Sequence, residues 1–144
     1  MAIRIPTDQI QNLQQLEAVV AGPDGANRLY VVNGQLPAAI NVYSQGPFAQ
    51  QKETFTVLLG PVLTRQQFFR SVSTASLTNT NFNVNSANPN GCNWQIINAD
   101  ADWDDESGQV ELRIEVFVGA SGNNTSAAIN GLGFNVTILA SLPA

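Results

Sequence analysis

Carboxylates that could hold a metal ion are concentrated in one short segment of this sequence. Seven of the eleven acidic residues lie within residues 100–115. Three aspartates alternate at the start of this segment, and a glutamate stands at the twelfth position counted from the first of them: Asp100, Asp102, Asp104 and Glu111. These match four of the positions whose oxygen atoms bind Ca²⁺ in an EF-hand loop. The spacing predicts a calcium site at these four residues, and calcium is the one cofactor that the sequence indicates.

The segment also departs from an EF-hand. Asp105 occupies the sixth position, where the loop needs glycine for its sharp turn, and the flanking residues alternate as strands do. The three alternating aspartates would share one face of a strand and could still meet a cation at a hairpin tip. The alternative is a solvated acidic face that protects a sheet edge, with Arg113 offsetting part of the repulsion. Calcium titration followed by the melting temperature and by Trp103 fluorescence distinguishes the two.

The residues around the aspartates predict the hairpin that must position them. Apolar residues alternate with other residues over 110–118, which is typical of a strand with one buried face. The inward set is Val110, Leu112, Ile114, Val116 and Val118. A turn at residues 105–108 then gives five cross-strand pairs: Trp103–Val110, Ala101–Leu112, Ala99–Ile114, Asp102–Glu111 and Asp100–Arg113. In this one register, apolar residues lie opposite apolar residues on one face, and charged residues lie opposite charged residues on the other face. The sequence therefore predicts the register of the hairpin as well as its strands.

Aromatic rings among amide side chains are the second candidate for chemistry. Sixteen asparagines supply planar amides, and Phe117 falls on the outward, otherwise charged face of its predicted strand. Tyr43 lies in another, shorter strand candidate. A stacking ring beside amides suits the faces and hydroxyls of a sugar. Phe117 and Tyr43 are therefore the candidate ligand-binding residues, for a glycan. The alternative is that both rings pack in the core or at a subunit interface.

The residue types that the sequence lacks argue against an enzyme. It contains no histidine, and Cys92 and Lys52 are the single residues of their types. These absences exclude Ser-His-Asp and Cys-His catalysis and an internal disulfide. A pair of aspartates could hydrolyse glycosides, but that chemistry needs one desolvated acid, and the aspartates here are expected on a polar face near a turn. The sequence therefore predicts a protein without catalytic residues.

Charge and hydropathy exclude two kinds of partner. Only 12% of the residues are charged, the formal net charge is -5, and the six basic residues are scattered along the chain. Electrostatic binding of nucleic acid needs a basic patch, so no nucleic-acid partner is expected. No stretch approaches the ~20 consecutive apolar residues of a membrane span. Residues 1–6 lack a basic region followed by an apolar run, so we expect synthesis in the cytoplasm with no visible secretion signal.

The N-terminal segment is predicted to form one short helix. Ile10, Leu13, Leu16 and Val20 recur near helical spacing, and the turn residues 22–25 end the pattern. The predicted helix covers residues 8–21. We therefore divide the chain into a helix and turn at residues 1–25, which would dock on a β domain or contact a neighbouring subunit, and a β domain at residues 26–144.

Short β-rich runs separated by turn residues fill the remainder of the chain. The runs cover residues 28–33, 40–43, 53–59, 68–77, 82–84, 94–103, 110–118 and 132–138. The breaks between them include Asn33-Gly34, Gly46-Pro47, Gly60-Pro61, Asn88-Pro89-Asn90-Gly91 and the polar residues 119–126. Strands and turns at such intervals predict an all-β fold, a two-sheet antiparallel β-sandwich of the jelly-roll or Ig-like type.

Composition and fold together favour two functions of different classes. Neutral hydrogen-bonding groups, few charges and an apolar N-terminal segment favour a structural protein: a self-associating β-sandwich subunit of a virion, a phage-like particle or another ordered array. Its partners would be copies of itself or other particle subunits, and the particle would be released from the cell. The alternative is a lectin-like, carbohydrate-binding module, assisted by calcium at the aspartates. A defined oligomer that requires residues 1–21 favours assembly, whereas chelator-sensitive retention on a glycan matrix favours the lectin.

Overall fold

The structure is a computed structural model that describes residues 2–22, 25–84 and 90–141. These residues form seven β-strands and one 3-10 turn, and they include no α-helix. The strands are β1 (Ala2–Arg4), β2 (Gln11–Gly22), β3 (Gly25–Leu36), β4 (Ile40–Leu59), β5 (Phe68–Val84), β6 (Gly91–Trp103) and β7 (Val110–Ser141), and the turn is Thr7–Gln9. The all-β fold predicted from the sequence is confirmed.

Strand β7 is the centre of a single seven-stranded sheet, where two sheets were predicted. Along one edge it pairs antiparallel with β4 over residues 110–129 and with β3 over residues 132–141. Along its other edge it pairs with β6 over residues 110–121 and with β5 over residues 125–140. Strand β2 extends the sheet beyond β3, and β1 lies parallel to β4.

The predicted helix over residues 8–21 is wrong. Residues Gln11–Gly22 form β2, which pairs with β3 up to the Gly22–Gly25 pair, while Thr7–Gln9 form a single 3-10 turn. Pairing with β3 satisfies the backbone groups along one edge of β2, and the β-branched pair Val19-Val20 favours the extended form. Residues 23 and 24 lie outside the described residues. Strands β1 and β2 therefore belong to the same sheet as the strands that follow residue 25.

Two of the predicted breaks are bends within long strands. Strand β4 continues through Gly46, and β7 continues through residues 119–126. The pairing of β4 with β7 shifts its register between Ser44 and Ala49. Gly46, Gly122 and Asn124 have left-handed backbone conformations, with φ of 135°, 112° and 52°. Glycine adopts such conformations without steric cost, so these residues bend the strands instead of ending them. We call this region the bend (residues 44–49 and 120–125).

The same face of β7 stays inward on both sides of the bend. Its buried side chains belong to even-numbered residues from Val110 to Ala120 and to odd-numbered residues from Thr125 to Ile129. An extra residue at a bulge produces such a change of parity without turning the strand over. The predicted turn at Asn33-Gly34 is also wrong, because β3 runs on to Leu36. The predicted turn at residues 88–91 lies partly outside the described residues.

The core lies on this inward face of β7 and on the strands beside it. The five inward residues predicted between Val110 and Val118 are each 0% exposed, which confirms the alternation. Burial of each such side chain contributes about 1.5–3 kcal/mol. Residues far apart along the sheet are also in contact. The Ser71 hydroxyl of β5 donates to the Ala101 carbonyl of β6 at 2.6 Å, and a Cβ built on Gly60 would lie 2.9 Å from Cδ1 of Ile138.

Candidate functional site

The acidic hairpin has the register that the sequence predicts. The pairs are Trp103–Val110, Ala101–Leu112, Ala99–Ile114, Asp102–Glu111 and Asp100–Arg113. Asp100 and Asp102 are exposed on the outer face, as expected from their alternation with buried Ala101. The Trp103 indole is half-buried, and its N–H donates to the carbonyl of Leu63 at 3.0 Å. The hairpin is therefore anchored from its inner face, and two of the aspartates are presented to solvent.

Asp104 follows the last residue of β6 and closes the turn of this hairpin. Its carboxylate accepts hydrogen bonds from the Ser107 hydroxyl at 2.7 Å and from the Ser107 backbone N–H at 3.1 Å. These two bonds, the hydroxyl bond first, lower the pKa of Asp104 below its ordinary value of 3.8. One oxygen of the predicted third calcium ligand is thus already used to shape the turn.

Glu111, the predicted fourth calcium ligand, forms an ion pair with the first strand. An Arg4 guanidinium nitrogen lies 2.5 Å from its carboxylate and joins β1 to β7. Within residues 2–22, 25–84 and 90–141, no three acidic, cysteine or histidine side chains form a group that could hold a metal ion. Calcium binding by Asp100, Asp102, Asp104 and Glu111 stays a prediction, and the calcium titration described above is its measurement.

Phe117 stands on the outer face of β7 and packs on Phe48 of β4. The two rings are stacked, with centroids 6.4 Å apart and an interplanar angle of 21°. They cover Gly119, where an added Cβ would lie 2.6 Å from the Phe48 ring and 3.2 Å from the Phe117 ring. Phe117 therefore points outward as predicted, and its ring packs against a residue of the neighbouring strand. Tyr43 lies beyond Gly46 along β4 and takes no part in this stack.

Tyr43 lies in a polar groove on the outer face of the sheet, with a volume of about 370 Å³. The groove is lined by Asn41, Val42, Tyr43, Asn81, Asn83, Ser126, Ala127, Ala128 and Asn130. Its floor is β7, where Ser126 pairs with Tyr43 on one side and Asn83 on the other. The walls are β4 and β5, two strand spacings or roughly 10 Å apart. None of these lining residues is charged, so the groove suits a neutral, polar ligand.

The Tyr43 ring is held in place at the mouth of this groove. Its side chain is 53% exposed, and its hydroxyl donates a hydrogen bond to Oδ1 of Asn124 at 2.6 Å. Asn124 lies in the bend, so the local distortion of β7 supplies the acceptor. A ring fixed in this way loses little conformational freedom when a ligand stacks on it.

The four asparagines of the groove were not recognised from the sequence. Asn41, Asn81, Asn83 and Asn130 are exposed and make no side-chain hydrogen bond to another described residue. Each amide offers two donors and one acceptor oxygen. The signal that could have found them is their alternation with apolar residues, which places Asn81 and Asn83 on one face of β5. Asn85, which continues this alternation in the sequence, lies outside the described residues.

A second polar groove, of about 450 Å³, lies further along the same outer face. One row of polar side chains crosses four strands there: Gln14 of β2, Asn33 of β3, Asn135 of β7 and Thr74 of β5. Gly133 forms part of its floor, and a Cβ there would lie 2.9 Å from the Ser76 hydroxyl. The outer face beside β7 is thus amide- and hydroxyl-rich along much of its length.

Strand β2 is an outer edge of the sheet and is exposed on both faces. Every residue from Gln11 to Val19 is exposed, including three large apolar side chains. These are Leu13 (44%), Leu16 (65%) and Val19 (63%). The one charged residue of β2, Glu17, lies 3.4 Å from the Arg28 guanidinium of β3. Residues Gln11 to Val19 of β2 therefore lie outside the core, and the strand forms an almost neutral edge of the sheet.

Comparison with known proteins assigns no function to these surfaces. No family model matches the chain, and no curated protein and no solved structure matches it significantly. Among the described residues, no helix is long and apolar enough to cross a membrane. The function is therefore inferred from the geometry of the chain itself.

Proposed function

We propose that this chain is a non-enzymatic structural subunit that self-associates through the free edge of β2, in a virion, a phage-like particle or another ordered array. The observation that supports the proposal is the exposure of both faces of β2 along an unpaired strand edge. The proposal includes synthesis in the cytoplasm and release of the assembled particle from the cell. It assigns no catalytic residue.

The proposal also includes a β-sandwich form for the subunit. Strands β4 and β7 both bend at glycine, and the inward face of β7 is apolar on both sides of the bend, with the buried hydroxyl residue Thr125 in the bend itself. The hydrogen bond from Ser71 of β5 to Ala101 of β6 joins strands that do not pair with each other. These contacts support one sheet folded over into two packed layers, in the manner of a jelly roll.

The free edge of β2 lacks most of the features that prevent strands from pairing with other chains. An unpaired edge presents a row of backbone N–H and C=O groups, which proteins usually block with lysine, proline, bulges or a covering segment. The sequence of β2 contains no lysine and no proline, and its one register shift lies near the start, between Gln11 and Gln14. Nine residues from Gln14 to Gly22 pair regularly with β3, so their other edge is available as a template.

The residues of β2 are self-complementary in an antiparallel pair. A two-fold axis through Leu16 places the Leu16 side chains of two copies opposite each other on the outer face. On the face opposite to Leu16, the same axis places Gln15 opposite Glu17 and, where β2 continues beyond its regularly paired residues, Leu13 opposite Val19. The apolar residues therefore meet and the acidic side chains do not. We therefore commit to a second copy of this chain as the partner of β2.

The apolar character of this surface continues inward from the edge. Leu16 pairs with Val31 of β3, which pairs with Thr137 of β7, which in turn pairs with Val72 of β5. Leu16 and Val72 are 65% and 57% exposed on this outer row. A neighbouring subunit that extends across β2 would cover part of this row in addition to the backbone edge.

Disulfide trapping tests the proposed register directly. In a Cys92→Ala background, Leu16→Cys should form a disulfide-linked dimer under mild oxidation, because opposed residues in an antiparallel pair have Cα atoms about 4.5–5.5 Å apart. Leu13→Cys should not crosslink with itself, whereas a mixture of Leu13→Cys and Val19→Cys chains should form a mixed dimer. The products are measured on non-reducing gels and by mass spectrometry.

A charge at the centre of the interface provides the second test. Leu16→Lys should weaken association by about tenfold or more, measured by sedimentation velocity, while the melting temperature of the subunit stays within a few degrees because Leu16 is exposed. A wild-type chain that stays monomeric at high concentration would disprove self-association. Leu16→Cys that crosslinks no faster than Leu13→Cys would disprove the β2 register.

A further inference from the structure

We infer that the groove at Tyr43 is a binding site for a neutral saccharide, with the tyrosine ring as its stacking surface and the surrounding asparagines as its hydrogen-bonding groups. This inference goes beyond the proposed assembly function, because the groove lies between β4, β7 and β5, away from β2. Its ligand class follows from three properties of the groove: its charge, its hydrogen-bonding groups and its aromatic wall.

The absence of charge in the lining selects against most other ligands. None of the described residues that line the groove carries a carboxylate, guanidinium or ammonium group, so they offer no charge to neutralise a phosphate, a nucleotide or a metal ion. The small side chains of Ala128 and Ser126 on the floor leave the space between the walls open. A neutral ligand rich in hydroxyl groups is the class that such a surface can hold in competition with water.

The hydrogen-bonding groups match the pattern of a sugar. Each hydroxyl of a pyranose can donate and accept a hydrogen bond. A side-chain amide on either wall of the groove can do both as well, through its NH₂ group and its oxygen. Asn41 and Asn81 face each other across Ala128, while Tyr43 and Asn83 face each other across Ser126. These two rows are successive outward positions of β7, so a ligand lying along β7 would contact amides from both walls.

Tyr43 supplies the component that amides lack. The C–H face of a sugar ring is apolar and packs on an aromatic ring, which an exposed tyrosine provides. The hydrogen bond from Tyr43 to Asn124 fixes the ring before the ligand arrives, so less side-chain entropy is lost on binding. An open surface groove of this size predicts weak binding, with a Kd on the order of 1 mM for a short oligosaccharide.

An NMR titration of the full chain tests the inference. The probes are maltotriose, cellotriose, galactotriose and triacetylchitotriose, each added to ¹⁵N-labelled protein at up to tens of millimolar. At least one of them should shift the side-chain NH₂ signals of the groove asparagines. A membrane vesicle of neutral phospholipid and an uncharged peptide rich in serine and glycine serve as ligands of other classes.

The variants separate the groove from other exposed aromatic surfaces. Tyr43→Ala should weaken binding of the responsive sugar by about tenfold or more, and Tyr43→Phe, which keeps the ring and loses the bond to Asn124, should weaken it by less than about fivefold. Phe48→Ala is the matched control, since Phe48 is 55% exposed but lies outside the groove. It should leave sugar binding unchanged. If Tyr43→Ala does not fold, the Asn81→Ala/Asn83→Ala variant takes its place, with the same expected loss.

Three outcomes would overturn the inference. In the first, none of the four sugars shifts the side-chain NH₂ signals of the groove asparagines. In the second, Tyr43→Ala binds the sugar with unchanged affinity, and in the third, the peptide or the vesicle produces the shifts instead. The assembly proposal is tested separately, because Leu16→Lys, which should reduce association, is expected to bind the same sugar with the same Kd as the wild type.

Discussion

The Asp104 carboxylate connects the stability of the acidic hairpin to pH. Asp104 accepts two hydrogen bonds from Ser107, and these bonds hold its pKa below the ordinary value. A group whose pKa is lower in the folded state than in the unfolded state stabilises the fold above its unfolded pKa, and this contribution is lost as the pH falls through the folded pKa. Asp104→Asn should therefore lower the urea midpoint at pH 7 and have much less effect near pH 2.

The neighbouring acid provides the control for this prediction. Asp105→Asn removes the same charge from the same turn, at an exposed residue that does not accept the Ser107 bonds. The urea midpoints of the two variants should differ at pH 7, with Asp104→Asn the less stable, and should converge at about pH 2. Equal losses at both pH values would show that the Ser107 bonds have no pH-linked effect on stability.

The bend in β7 requires backbone conformations that side chains oppose. Gly122 has φ of 112°, and a Cβ there would lie 2.1 Å from Oδ1 of Asn90, the acceptor of the buried Thr125 hydroxyl. Gly122→Ala should therefore lower the free energy of unfolding by about 1–3 kcal/mol, measured by urea denaturation. The control is Gly91→Ala beside it, where the closest atom would be the Ser121 hydroxyl at 3.2 Å. Its expected cost is below about 1 kcal/mol, and an equal cost would contradict the role of the bend.

The elements differ in how well the sequence predicts them, and the reason is burial. In the hairpin of β6 and β7, one face is in the core and the other is in water, so the alternation predicts strands and register together. Strand β2 has no buried face, so no period-two pattern marks it, and Leu13 and Leu16 matched a helix by their spacing alone. At Gly46 and within residues 119–126, glycine allows a strand to bend. The same residue type also marks turns, so the sequence does not distinguish a bend from the end of a strand.

The candidate sites follow the same rule over a longer range. Tyr43 is a candidate from the sequence because an aromatic residue is conspicuous by its type. The asparagines beside it come from three strands that are far apart in sequence, and nothing local indicates that β7 lies between β4 and β5. The four acidic residues are predicted as a calcium site because they are close together in sequence, whereas the contacts of Asp104 with Ser107 and of Glu111 with Arg4 depend on the fold.

At the scale of the whole molecule, the acidic charge and the proposed interface lie on different sides of β7. Seven of the eleven carboxylates fall within residues 100–115, on β6, β7 and the turn between them. Strand β6 pairs with one edge of β7, whereas β3, which carries β2, pairs with the other edge. The one acidic residue of β2, Glu17, is offset by Arg28. Subunits that join through β2 therefore bring nearly neutral edges together despite the net charge of -5.

This separation predicts that the proposed association through β2 is insensitive to salt. The Debye length falls from about 10 Å at 0.1 M salt to about 3 Å at 1 M, so repulsion between acidic surfaces would weaken strongly over this range. The association constant of the wild type, measured by sedimentation, should change by less than about threefold between these concentrations. Glu17→Lys is the control, because it places a second cation beside Arg28 and should make association weak at 0.1 M and recover with salt. A wild-type constant that rises tenfold or more with salt would mean that acidic hairpins meet in the assembly and that β2 is not the interface.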